Sequence, residues 1–141
     1  MISSEIREDG ERVGFQLEDI STHRMGTLAH SRSKSSDVPI VGKYQVNIFE
    51  IERIGVAAIR NAANEADVII IDEIGPMELK STQFVLAVEF ALASKKALVG
   101  TIHRHSAHQL VSSIKSNYRI IEVDLQNRAR VPFEIVDEIT G

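Results

Sequence analysis

Cysteine and tryptophan are absent, and the 141 residues include only three prolines and eight scattered glycines. Without cysteine there is no disulfide framework, no thiolate nucleophile and no thiolate metal ligand, which suits a reducing compartment, the cytoplasm. A surplus of positive charge is missing too: 16 Lys and Arg stand against 20 Asp and Glu, a formal net charge of -4. Proteins that grip nucleic-acid phosphates are normally basic, so composition argues against that partner. No apolar run approaches the roughly 20 residues of a membrane span, so no membrane partner is expected. The opening Met1-Ile2-Ser3-Ser4-Glu5 does not read as a basic region followed by an apolar stretch, the mark of a secretory signal. No internal repeat or low-complexity tract occurs. What is present, 43% hydrophobic and 26% charged residues, is too apolar for a disordered chain and fits one domain, 1–141.

Two rhythms divide the chain. Residues 2–20 alternate around Asp9-Gly10, a hairpin signal because both residue types tolerate the positive φ of a tight turn. Gly26-Thr27-Leu28-Ala29-His30 adds a third strand to this antiparallel meander. Residues 31–47 are polar and irregular, with Pro39 and Gly42, and read as a long loop. From there helix and strand alternate. Residues 49–66 read as a helix broken at Gly55. Val68-Ile69-Ile70-Ile71 is a continuous β-branched run, as in a parallel strand buried on both faces. Phe84, Val88, Ala91 and Leu92 share a helical face. A second strand is expected at 97–102, a helix carrying Ala107, Leu110, Val111 and Ile114, a third strand at 119–123, and a short helix opened by Pro132. Such alternation predicts an α/β fold with a mostly parallel sheet and an antiparallel N-terminal hairpin.

Ligands of open α/β sheets bind beyond the carboxyl ends of the strands. Two strands end in suggestive residues there. Val68 to Ile71 is followed by Asp72-Glu73, the form of a Walker B motif. Asp72 at the tip of a rigid strand can hold Mg²⁺, and Glu73 can activate a water. The plainer alternative is a strand that ends in solvated acids. Gly100-Thr101-Ile102-His103-Arg104 ends the other strand. Thr101 can bond a phosphate or the attacking water, and His103 and Arg104 can meet phosphate charge; an ordinary strand-to-loop transition is the alternative. His103, His105 and His108 raise a zinc reading and a metal-dependent hydrolase, but their spacing suits no single helix face and no cysteine accompanies them. Gly42-Lys43-Tyr44 is not a phosphate-binding Walker A loop, because Asp37 stands where that motif needs Gly and Tyr44 where it needs Ser or Thr. No other Gly-Lys pair exists in the sequence.

Several blocks in order resemble the small P-loop nucleoside-triphosphatases first described from thermophiles, whose vertebrate member is called cancer-related nucleoside-triphosphatase. They are Ser4-Glu5-Ile6-Arg7 with Arg12-Val13-Gly14-Phe15, then Val41-Gly42-Lys43-Tyr44-Gln45-Val46-Asn47. Asp72-Glu73-Ile74-Gly75 with Met77-Glu78-Leu79 follows, then Gly100-Thr101-Ile102-His103 and Asn127-Arg128. The resemblance covers nearly the whole chain. It implies a RecA-like core that hydrolyses ATP, GTP and other nucleoside triphosphates to diphosphate and phosphate with Mg²⁺. A monomer is the separate expectation for its assembly. It implies Asp72 as the metal-organising residue, Glu73 as the catalytic base and Thr101 near the γ-phosphate. Glu5, Arg7, Lys43 and Arg128 are implied as substrate or phosphate contacts. Family members carry a strand, the Gly-rich loop and a helix ahead of the point matching Met1, so the expectation is an N-terminally truncated domain lacking the P-loop strand and first helix. That strand would lie between the strands at 97–102 and 119–123. The alternative function is a non-catalytic remnant of the nucleotide fold, acting as a binding or interaction module.

Overall fold

The computed structural model describes residues 1–32 and 36–141; Ser33, Lys34 and Ser35, which fall in the expected long loop, lie outside the described residues. Three strands build the meander: β1 (Ile2–Glu8), β2 (Glu11–Glu18) and β3 (Met25–His30). Asp9 and Gly10 join the first two with φ of 50° and 80°. Positive φ at both positions gives the turn twist that matches two right-twisted strands, which is why Asp-Gly stands there. The last part of the expected loop holds regular structure. β4 (Ile40–Val41) and β5 (Tyr44–Val46) form a small hairpin, and β5 pairs with β3. Two- and three-residue strands flanked by Pro39 and Gly42 leave too short an alternation to read from sequence.

The helical stretch is continuous rather than broken at Gly55. α1 (Ile48–Glu50) passes through a π-helical stretch, Ile51–Val56, into α2 (Ala57–Glu65). Gly55 sits buried inside that widened turn. Next come β6 (Val68–Ile74), a 3₁₀ turn (Glu78–Lys80), α3 (Thr82–Ala93) and β7 (Ala97–Ile102). α4 (Gln109–Asn117) and α5 (Val131–Thr140) follow. Ser81 starts α3: its Oγ accepts the Phe84 N–H at 3.1 Å and donates to Glu52 Oε1 at 3.1 Å. A buried cap of this kind is worth about 1 kcal/mol. Ser81→Ala is therefore expected to lower unfolding free energy by about that amount in a urea titration, without changing the fold.

The seven strands form one mixed sheet in the order β4-β5-β3-β2-β1-β6-β7. The pairs β1–β6 and β6–β7 are parallel, while β1–β2, β2–β3, β3–β5 and β4–β5 are antiparallel. The α/β architecture is as expected, but the parallel part is three strands wide. Residues 119–123 are not a strand. A strand needs a neighbour for its backbone N–H and C=O groups, and the described sheet ends at β7. Ile120 and Val123 are accordingly exposed. β6 likewise differs from a strand buried on both faces. Ile69 and Ile71 face the helices and are buried, whereas Ile70 on the opposite face is 42% exposed. The core joins Leu17 and Leu28 of the meander, Ile51 and Ile59 of the helical stretch, and Phe84 and Val88 of α3 to Ile69 and Ile71. Of α5, only Val131 is buried; Phe133 and Val136 are exposed.

One register fact positions everything that follows. Ile2, at the start of β1, lies opposite Asp72, near the end of the parallel β6. The remainder of β1, and with it the meander, thus runs past the carboxyl end of β6 and overhangs the strand tips.

Candidate active site

β6 and β7 stay in simple register from Val68↔Ala97 to Ile71↔Gly100, and the next pair is Ile74↔Ile102. One more residue on β6 than on β7 fills that interval. Asp72 and Glu73 occupy this irregularity, where an extra residue re-aims side chains out of the ladder. The peptide bond between them is cis. Asp72 is exposed at the tip. Its Oδ1 accepts the Thr101 hydroxyl at 2.6 Å, which ties the ends of two neighbouring parallel strands together. Glu73 turns the other way, and its Oε2 meets His103 Nε2 at 3.1 Å.

Behind this pair the chain reverses through Gly75-Pro76-Met77 into the 3₁₀ turn. Gly75 is required by contact rather than by torsion. A Cβ placed on it would lie 2.9 Å from Glu73 Oε1 and 2.9 Å from Glu78 Oε2. The two carboxyl groups therefore face each other across the Gly75 α-carbon. Glu78 is 1% exposed, and its Oε1 has no hydrogen-bond partner among the described residues. Burial pushes the Glu78 carboxyl up to about 7; its own backbone N–H and that of Gly75 pull it down, while the charges of Glu73 and Asp72 add to the rise.

The sequence pattern thus brings Asp72, Glu73 and Thr101 together. The remaining expected residues fall elsewhere. Glu5 and Arg7 sit on the overhanging β1. Arg7 pairs with Glu5 at 2.8 Å, and Arg12 pairs with the same carboxylate at 3.0 Å. This pull of two guanidinium groups, Arg12 first, holds the Glu5 carboxyl below its usual range. Arg12 also lies over the rings of Phe15 and Tyr44, with centroid distances of 5.3 and 5.9 Å. Lys43 stacks over Tyr44 at 5.5 Å and borders a shallow cleft with Glu11 and Arg12. Glu5, Arg7 and Lys43 thus belong to a cation–aromatic cluster shared by the meander and the β4–β5 hairpin. At about 3.3 Å per strand residue, Glu5 begins it roughly 10 Å beyond the level of Asp72. Arg128 lies on the exposed turn after Asp124, and its side chain makes no hydrogen bond or ion pair among the described residues.

The three histidines do not form a zinc site. No group of three or more His, Asp or Glu converges to hold a metal among the described residues. His103 is directed to Glu73, and His108 Nδ1 caps α4 by accepting the Leu110 N–H at 3.1 Å. Together with His105 and Lys80 they border a cleft of about 490 Å³ next to the strand tips. The Asp72 carboxylate and Thr101 hydroxyl offer hard oxygen atoms at one point. That donor set fits a divalent cation such as Mg²⁺, which takes one or two carboxylates and completes its shell with water and phosphate oxygens. Two site residues escape the sequence reading in their actual roles. His103, read as a contact for phosphate charge, meets the acid at position 73, and Glu78 is buried in the turn. A glutamate inside Gly75-Pro76-Met77-Glu78-Leu79, an otherwise apolar tight turn, is the signal that points to it.

Comparison with known proteins shows the family of the chain and relatives of its fold. A family model described as NTPase matches residues 1–136. The chain is 41% identical over 135 residues to the nucleoside-triphosphatase THEP1 of Methanosarcina acetivorans, covering 96% of this chain and 75% of that protein. It is 44% identical over 144 residues to the nucleoside-triphosphatase THEP1 of Thermofilum pendens, covering 100% and 78%. The crystal structure of THEP1 from Aquifex aeolicus superposes with a TM-score of 0.84 at 27% identity, over 99% of this chain and 82% of that one.

Proposed function

The chain belongs to the NTPase family, and from that premise we propose that it hydrolyses nucleoside 5′-triphosphates, ATP and GTP among them, to the diphosphate and phosphate. The supporting observation is the 2.6 Å hydrogen bond from Thr101 to Asp72, which sets a carboxylate and a hydroxyl side by side at the tips of two parallel strands, next to Glu73. Phosphoryl transfer asks little covalent chemistry of a protein, so positioned charges and a base carry the rate.

In this reading Asp72 is the residue that holds Mg²⁺, and Thr101 fixes the carboxylate that does so. When bound with the nucleotide, the cation neutralises charge on the β- and γ-phosphates. Glu73 orients the attacking water and takes its proton. The water oxygen bonds to the γ-phosphorus, the bond to the bridging oxygen breaks, and the nucleoside diphosphate leaves. His103, whose Nε2 lies 3.1 Å from Glu73 Oε2, keeps that carboxylate on the cleft side. Glu5 and Arg7 on the overhanging meander, Lys43 on the β4–β5 hairpin, and Arg128 serve as outer contacts to substrate. No helix among the described residues is long and apolar enough to cross a membrane.

A second reading rests on one sequence fact. No Gly-x-x-x-x-Gly-Lys-Ser/Thr stands in these 141 residues, and that loop supplies the amides and the lysine that cradle the phosphates. A non-catalytic nucleotide-fold module would have the same strand tips and no turnover. Phosphate release from ATP and GTP separates the two. The proposal expects diphosphate and phosphate in equal amounts with Mg²⁺, no release in EDTA, and recovery when Mg²⁺ is restored. Monophosphate and pyrophosphate as products would overturn it. A folded chain with no release from any nucleoside triphosphate would also overturn it and favour the binding module.

A further inference from the structure

Glu78 is a buried carboxyl beside the strand tips, and the hydrolytic scheme leaves it without a task. Its position is costly. The group is 1% exposed, one of its oxygens has no partner among the described residues, and two further carboxylates lie near it. An apolar residue of similar volume would fill such a place at least as stably. What Glu78 has that an apolar residue lacks is a polar oxygen turned toward Glu73 across Gly75. Glu73 is thus bracketed: its Oε2 meets His103 Nε2 at 3.1 Å, and its Oε1 lies on the Gly75 side, facing Glu78.

We propose that Glu78 is a positioning residue for Glu73: with Gly75 as the spacer, its carboxyl forms the inner wall of a slot whose outer wall is His103, and so fixes the direction of the Glu73 carboxylate. The inference deepens the hydrolytic reading and rests on it for its consequence in turnover. The slot itself is a geometric statement. Glu78 is brought there by the reversal at Gly75-Pro76-Met77, closed by the Leu79 N–H to Gly75 carbonyl bond at 3.0 Å. Gly75 allows the two carboxyls to approach, since any side chain on it would occupy the space between them. A neutral Glu78, as burial favours, sets no charge against Glu73; a glutamine stands neutral in the same place and keeps an acceptor for the Gly75 N–H.

The test uses the full chain and two variants, Glu78→Gln and Glu78→Leu. Steady-state phosphate release is read as kcat and KM, and the His103 imidazole resonances are read by NMR without nucleotide. Glu78→Gln is expected to keep kcat within about threefold of wild type and leave the His103 signals in place. Glu78→Leu is expected to lower kcat at least tenfold with KM unchanged, and to move the His103 signals toward those of Glu73→Gln, because the carboxylate is no longer held against the ring. Should Glu78→Leu fail to fold, Gly75→Ala reads the same slot, since its methyl must displace Glu73; the same kcat loss and the same His103 shift are expected. Wild-type kcat with unmoved His103 signals in Glu78→Leu, or in Gly75→Ala where that variant replaces it, would overturn the proposal. Equal loss in Glu78→Gln and Glu78→Leu would overturn it as well. A wild-type chain without turnover refutes the hydrolytic reading alone, and the His103 signals then decide the slot by themselves.

Discussion

Glu73→Gln is expected to cut the rate of phosphate release by a factor of roughly 10²–10⁴, the range a positioned general base contributes. The substitution keeps the size of the side chain and an oxygen that can still lie against His103 Nε2, a contact of 3.1 Å in the wild type. What it removes is the ability to take a proton from water. Binding of the Mg²⁺–nucleotide is assigned to Asp72 and the outer contacts, so the dissociation constant measured by calorimetry should stay within about threefold while kcat falls, because a group acting in the transition state lowers kcat rather than raising KM. Asp72→Asn should behave differently, raising the Mg²⁺ concentration needed for half-maximal rate. Full turnover in Glu73→Gln would mean that another group accepts the proton.

The central constellation is legible in the sequence because it depends on local information. An apolar run that ends in Asp72-Glu73, and another that ends at Thr101, need only become parallel neighbours for their tips to meet. The 2.6 Å bond between Asp72 and Thr101 is the product of that single pairing. The bracket around Glu73 is not legible in the same way. Glu78 reaches the site through a chain reversal, and His103 reaches it through the register change between Ile71 and Ile74, which no periodicity records. The strand misread at 119–123 shows the complementary limit. Ile120, Ile121 and Val123 carry strand propensity, but a ladder forms only where a neighbour offers its backbone. The loop misread around 40–46 errs the other way, because β5 is fixed by pairing with β3 rather than by its own pattern. Lys43 and Arg7 are exposed cations in sequence; only the fold reveals that one stacks on Tyr44 and the other is bound to Glu5.

Raising the pH from 4.5 to 7 is expected to destabilise the wild-type fold by about 3 kcal/mol through Glu78 alone. Its carboxyl titrates at about 7 in the folded chain, against 4.5 as the ordinary value. Below 4.5 the group is protonated in both states and contributes no difference. Between 4.5 and 7 the unfolded chain releases the proton while the folded chain keeps it, so the folded state binds more protons and stability falls as pH rises. Above 7 both states are ionised and the full cost, about 1.4 kcal/mol for each pH interval in that window, persists. Asp19 acts at the other end. Its burial alone would raise it, but the hydroxyls of Ser21 and Thr22 and the Ser21 N–H outweigh that and hold it below the usual carboxylate range. Its contribution is present above about 4 and is lost on acidification. The two groups together place the stability maximum between about pH 4 and 4.5. Glu78→Gln removes the neutral-side slope and leaves the acid limb. Thermal melts across pH 4–8 should therefore show the variant level with wild type near pH 4.5 and more stable at pH 8, by on the order of 10 °C for a domain of this size. Parallel melting curves for the two proteins across that range would show that Glu78 ionises freely in the folded chain, and that it does not stand in a desolvated slot against Glu73.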